Sequence, residues 1–366
     1  MRRAKLRGVL ATATGVVAAA LAAGLVAPVH AAAAPVLSAK FLSTTNLPFD
    51  WIPAPARLGG ISGIDGDGRG NYSVITDDTG ANGPTRYFDV SVPLNRDGMS
   101  SGVPALVGGG VVMGPNNIPM LPGSGSGYEF EAIRHHGNSL IVASDGPEPF
   151  IRMVSAPGLH QRDFALPAAY VPKKGSGLRG HLGLESLAVS EGGLISTITE
   201  NSLAQDGPRP TLAAGTSSRL LQLRGNGTVS GEFVYRTDPL TPGSSGRAFK
   251  GVSEVLAVNK TDFLVLERGY DPARNSYDIK IFWTTTNGAD RVTGKAALTG
   301  NEKAMPKHLV YNLSSLTNLR PGNVEGLAWG PRLSNNRRAL LAVSDNGFNS
   351  PAVPNKLHVM AVHFPG

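Results

Sequence analysis

Apolar residues in this chain fall in short runs broken by polar turns, and few stretches keep the three-to-four spacing of an amphipathic helix. The stretch NVEGLAWGPRLSNNRRALLAVSDNGFN, residues 323–349, shows the pattern: the apolar runs 327–329 and 339–343 flank a polar turn. That pattern predicts a hairpin of two buried strands. The first strand opens with Glu325 and the second closes with Asp345. A carboxylate beside a buried run costs several kcal/mol if it is desolvated without a partner, so the placement asks for a reason.

The hairpin recurs. Related segments are GISGIDGDGRGNYSVITDD from Gly60, FEAIRHHGNSLIVASDG from Phe130, LESLAVSEGGLISTITEN from Leu184 and SEVLAVNKTDFLVLERG from Ser253. Aligned on Ser62, Glu131, Glu185, Glu254 and Glu325, they repeat at intervals of 69, 54, 69 and 71 residues. Each interval has room for two further strands, such as SRLLQLRG with TVSGEFVYRT, or YDIKIFWTT. Four strands per long repeat is the arithmetic of a β-propeller blade. The expected fold is therefore all-β, a propeller of four-stranded blades with five repeats readable and five or six blades. After the fifth hairpin only LHVMAVHF remains, and VLSAKFLS, residues 36–43, is the candidate to complete that blade and close the ring with the terminal strands.

Composition narrows the setting. Arg2, Arg3, Lys5 and Arg7 precede an uncharged Ala- and Val-rich run and then HAAAAP, the layout of a secretory signal peptide over residues 1–34. Residues 35–366 then form a single secreted, extracellular domain. An uncleaved N-terminal anchor is the alternative, but the small-residue end favours cleavage, and no stable membrane insertion is expected. Without the four basic residues of the signal, 30 basic groups face 27 acidic ones, a net charge of +3. Such a near-neutral chain, with no basic stripe interleaved with aromatics, gives no support to nucleic-acid binding. The absence of cysteine excludes disulfides, thiolate metal sites and a Cys nucleophile. A monomer is expected.

VEGLAWGPRL followed by AVSDNGFN, together with GLESLAVS, TEN and VLERGYD, resembles the phytase-like family of secreted proteins with esterase-like activity. The resemblance implies a β-propeller acting on ester or phosphoester bonds of a small substrate. Arg134-His135-His136-Gly137 only mimics the RHGxRxP loop of histidine acid phosphatases, and the pair of histidines reads as a strand end and turn. No Ser is framed as Gly-x-Ser-x-Gly.

In an antiparallel hairpin the start of the first strand and the end of the second share one end. The pairs Glu131 with Asp145, Glu185 with Glu200, Glu254 with Glu267 and Glu325 with Asp345, joined by Asp77 and Asp78, are thus expected around one funnel on the axis. An all-oxygen set suits calcium, for which Glu131, Asp145, Glu200, Glu254, Glu267 and Asp77 are candidate ligands, with Asn201 and Asn346 nearby. Glu325, Asp345, Glu185 and Arg268 are the candidate catalytic groups, and Arg134, Arg247 and Lys250 the candidate substrate-binding ones. The function expected is a metal-dependent ester or phosphoester hydrolase. The alternatives are a noncatalytic ligand- or protein-binding propeller with structural calcium, and recurring polar residues that merely bond the backbone of the next blade. Asp65 and Asp67 read as a hairpin turn.

Overall fold

The apolar runs of the inner strands are buried on both faces, which is why they are continuous rather than alternating. The computed structural model describes residues 37–48, 57–120, 128–316, 318–334, 336–349 and 352–364. The expected signal peptide lies outside them. The chain from Val36 to Gly366 is one compact unit.

Strand β1 (Ser38–Leu47) is followed by four meanders, each a separate four-stranded sheet in sequence order. The first blade is β2 (Ile61–Gly66), β3 (Asn71–Thr76), β4 (Arg86–Ser91) and β5 (Ala105–Val111). The second is β6 (Phe130–His136), β7 (Ser139–Ser144), β8 (Phe150–Ser155) and β9 (His160–Phe164). The third is β10 (Ala188–Val189), β11 (Ile195–Ile198), β12 (Ser217–Leu223) and β13 (Val229–Arg236). The fourth is β14 (Phe249–Ala257), β15 (Asp262–Asp271), β16 (Ser276–Thr285) and β17 (Lys307–Asn312). The fifth takes β18 (Asn323–Arg332), β19 (Arg338–Asp345) and β20 (Asn355–His363) from the end of the chain and β1 as its outer strand. The inner strands β2, β6, β10, β14 and β18 touch in that order, and β18 touches β2, so five blades close a ring.

The core lies between blades. Ile64 and Val74 of the first meet Ala328 and Leu341 of the fifth. Ile75 meets Ile133 and Val142 of the second, Ile141 meets Ile195 and Leu221 of the third, and Ile198 meets Val255 and Phe263 of the fourth.

The terminal closure reads as expected from the sequence, with the strand starting at Ser38 and running on to Leu47. β1 pairs antiparallel with β20 from Ser38↔His363 to Leu47↔Asn355. Thr44 Oγ1 lies 2.8 Å from His358 Nδ1, and Leu47 is fully buried. Deleting residues 38–47 is expected to cost about 5 kcal/mol or more, since Leu47 alone contributes roughly 2 kcal/mol and each ladder bond about 1. It also bares the β20 edge. A truncated chain that stays monomeric with an unchanged Tm would show that β1 is not needed for closure.

Candidate active site at the funnel mouth

The register of the inner hairpins fixes which side chains reach the axis. Ile61 pairs with Thr76, Phe130 with Ser144, Val252 with Glu267 and Val324 with Ser344. In each hairpin the register shifts at the very next residue, so Ser62, Glu131, Ser253 and Glu325 are bulge residues, one extra residue that re-aims its side chain. Glu185 holds the same place ahead of β10. Gly183 O accepts from Glu200 N just as Gly60 O and Glu129 O accept from Asp77 N and Asp145 N, each two residues before its bulge position. At the strand ends stand Asp77, Asp145, Glu200, Arg268 and Asp345, with Arg268 opposite Gly251 and Asp345 opposite Asn323.

The fourth blade therefore corrects the sequence reading by one residue. Its bulge residue is Ser253, not Glu254, and its strand-end residue is Arg268, not Glu267; a slip of one position turns a side chain to the other face. Glu254 instead meets the guanidinium of Arg134 at 2.7 Å and accepts from Leu187 N and Val255 N. Arg134 also donates to Ile64 O, Ile133 O and Val255 O. This pair spans from the second blade to the fourth and is committed to the interior, so Arg134 is not a substrate group at the funnel. Glu267 accepts from Tyr235 OH at 2.8 Å, Asp238 N at 2.9 Å and Lys307 Nζ at 2.6 Å, between the third and fourth blades. Lys250 sends its ammonium to Asp278 at 2.7 Å, and Arg247 is exposed on the loop before β14. Asp78 is held by Arg86 at 2.7 Å and caps the turn at Gly80 and Asn82.

Seven carboxylates remain at the mouth: Asp77, Glu131, Asp145, Glu185, Glu200, Glu325 and Asp345. Arg268 is the guanidinium among them, 2.9 Å from Glu325 and 3.8 Å from Glu200. It also donates to Asn323 Oδ1, while Asn323 Nδ2 donates to Glu325 at 2.7 Å and Asp345 at 3.2 Å. Asp145 accepts from Gly183 N and Leu184 N at 2.9 Å. Gly183 and Gly251 leave the space these acids need: a Cβ on either would stand 2.2 Å from Asp145 and 2.3 Å from Glu200. Among the described residues no donor reaches the side chains of Asp77, Glu131 or Glu185. Ser62, by contrast, bonds the next blade through Phe130 O, the backbone role that the glutamates at its position do not take up.

Among the described residues Arg268 alone forms ion pairs with these seven acids, and although Arg209 is felt at Glu200 and His181 at Asp145, Glu129 adds a further carboxylate, so the funnel is short of positive charge. Burial and then neighbouring carboxylates push Asp77 up to about 9, and Glu131 and Glu185 rise well above the usual range for the same reasons. Burial also raises Glu325 to about 8, Glu200 to about 7 and Asp145 to about 6, against opposing pulls from Arg268 on the first two and from the backbone amides on Asp145. Burial opposes the charge on Arg268, yet Glu325 and Glu200 hold it more firmly cationic than usual.

The sequence reading missed Glu129 and His181. His181 Nδ1 lies 2.7 Å from Glu129 Oε2, the imidazole is 70% exposed, and its charge is felt at Asp145. The hydrogen bond and charge of Glu129 raise its pKa. Its φ of 57° is a left-handed conformation uncommon outside glycine. The available signals were Glu129 two residues before Glu131, and a histidine between the glycines of RGHLG.

The oxygen-rich, uncompensated donor set fits a hard cation such as calcium. Among the described residues, however, no three carboxylates or imidazoles already converge as a closed ligand cage.

Fold and site together define a propeller with a polar, axial mouth built from all five hairpins. The chain belongs to the phytase-like family described as "Esterase-like activity of phytase", whose model matches residues 56–348. Membership points to a hydrolase-like propeller with a small-molecule substrate. No curated protein matches the sequence. Among solved structures, the chain is similar to an endo-arabinase from Bacteroides thetaiotaomicron VPI-5482, at 9% identity and TM-score 0.45, covering 86% of this chain and 97% of the other. It is also similar to apo AztD from Citrobacter koseri, at 10% identity and TM-score 0.27, covering 83% and 90%. No helix among the described residues is long and apolar enough to cross a membrane.

Proposed function

We propose that this protein is an exported, calcium-dependent hydrolase of ester or phosphoester bonds, with its chemistry at the funnel mouth. The observation that carries the reading is the His181–Glu129 pair at 2.7 Å, set on the rim of seven carboxylates that face one guanidinium. Glu129 holds the imidazole in one orientation, and His181 takes a proton from the attacking water through the nitrogen that Glu129 leaves free. Asp77, Glu131 and Glu185, with no donor of their own, are the groups that would hold the cation, with Asp345 beside them. When bound, calcium supplies charge to polarise the ester or phosphoryl oxygen and to acidify water. Arg268, fixed by Glu325 and Asn323, faces the negative charge that develops on the substrate.

The test is turnover of p-nitrophenyl phosphate and p-nitrophenyl acetate across a calcium titration, with wild type and His181→Gln. Calcium-dependent turnover is expected, with kcat falling about 10²–10⁴-fold in the variant and the calcium-induced rise in Tm retained. Turnover unaffected by His181→Gln would overturn the base assignment. A calcium-induced rise in Tm without turnover of either ester would overturn the hydrolase and leave a calcium-binding propeller.

A further inference from the structure

β2 and β18 run away from the funnel, and at their far ends a groove of about 790 Å³ opens between the first and fifth blades. Its walls include Arg69, Tyr72, Trp329, Arg332 and Arg338, and the acidic residue among them is Asp65. Arg332 and Arg338 stand directly opposite each other in the β18–β19 ladder. Like charges in that position destabilise a sheet. The Arg338 pKa is pushed down by burial and then by Arg332, with Asp65 opposing.

None of the three arginines forms a salt bridge with a carboxylate among the described residues. Asp65 is occupied, accepting from His135 N at 2.8 Å and lying 3.3 Å from His135 Nδ1. Asp67, next to the groove, is turned into its own loop, where it accepts from Arg69 N, Asn71 N and Asn71 Nδ2. Trp329 is fixed by donating Nε1 to Ala257 O at 2.8 Å, and the Arg338 guanidinium lies 4.7 Å from its ring centroid. Arg338 Nε donates to Gly330 O at 3.4 Å, so its two terminal nitrogens face an oxyanion from a guanidinium already laid on the ring, which loses little entropy on binding.

We propose that this groove is a second ligand site, separate from the funnel, that binds a small multivalent oxyanion bearing phosphate or carboxylate groups. Arg332 and Arg338 grip it from the two strands, Arg69 closes from the first blade, and Trp329 positions Arg338. The bound anion neutralises the opposed arginines, which accounts for a like-charge pair kept at the turn end of the β18–β19 hairpin.

Isothermal titration of the full chain with pyrophosphate and with citrate, in calcium-free buffer because both anions chelate calcium, tests this. Binding is expected to weaken at least tenfold in Arg332→Gln/Arg338→Gln and to persist in Glu325→Gln, a funnel variant. The arginine variant is expected to melt at or above the wild-type temperature without anion, so lost binding is not lost folding. Preference for one anion identifies the phosphate or the carboxylate source. No heat from either anion at millimolar concentration, or wild-type affinity in the double variant, would overturn the site.

Discussion

Replacing Arg134 with methionine is expected to destabilise the protein by about 3–5 kcal/mol, the usual cost of removing one partner of a buried ion pair. Arg134 is 2% exposed and Glu254 fully buried. Burial raises Glu254 to about 7, and Arg134 is the largest influence holding it down. Without the guanidinium, a carboxylate inside the ring must either take a proton or stay charged with no cation beside it. The loss should therefore deepen as pH rises from 6 to 8. Arg134→Met/Glu254→Met should recover part of the loss but not all, because Ile64 O, Ile133 O and Val255 O also lose their shared donor. Urea unfolding of the two variants makes the comparison, and a single-variant loss under about 1 kcal/mol would show that the pair does not brace the ring.

In chelator, the Tm is expected to fall by roughly 5–10 °C between pH 5 and pH 9. The funnel acids have folded-state pKa values above their unfolded ones, with Asp145 about 6, Glu200 about 7, Glu325 about 8 and Asp77 about 9. The folded state thus binds more protons than the unfolded chain across this window, and stability declines as pH rises. His135 and His181, raised by Asp65 and Glu129 against the opposing effect of burial, act in the same sense. His358 is lowered by burial and works the other way, but its contribution is complete near neutrality. Millimolar calcium is expected to flatten the slope by replacing protons among the acids. Glu131→Gln, at one of the acids with no donor of its own, should be neutral or stabilising in chelator and lose part of the calcium response. A Tm that is level or rising over this range in chelator would overturn the account of an uncompensated funnel.

The hairpins were legible because turn residues and apolar runs recur at a long period, and the closing strand because one blade was a strand short. What the alternation did not supply was register in VSEVLAVNKTDFLVLERG. Both faces of β14 are buried, so apolar periodicity does not tell Ser253 from Glu254, and each is followed or preceded by a plausible polar neighbour. Only the bulge after Val252 settles it. Arg134 was misplaced for a related reason: its partner Glu254 lies 120 residues away, and strand pattern carries no information about which blades meet across the axis. His181 sits in the irregular segment before β10, outside any repeat, where its meeting with Glu129 depends on loop geometry alone.

The β1–β20 ladder also gives the ring a mechanical direction. Because the pairing is antiparallel, Ser38 lies opposite His363, so the first and last described strands begin and end side by side. A pull applied at those two ends loads the outermost bonds first and peels the ladder one pair at a time. A pull between Ser38 and the Asn355 end of β20 would instead load the whole register at once, from Ser38↔His363 to Leu47↔Asn355, and must break it in shear. The same seam thus yields pair by pair when pulled at Ser38 and His363 and resists as one block when pulled at Ser38 and Asn355.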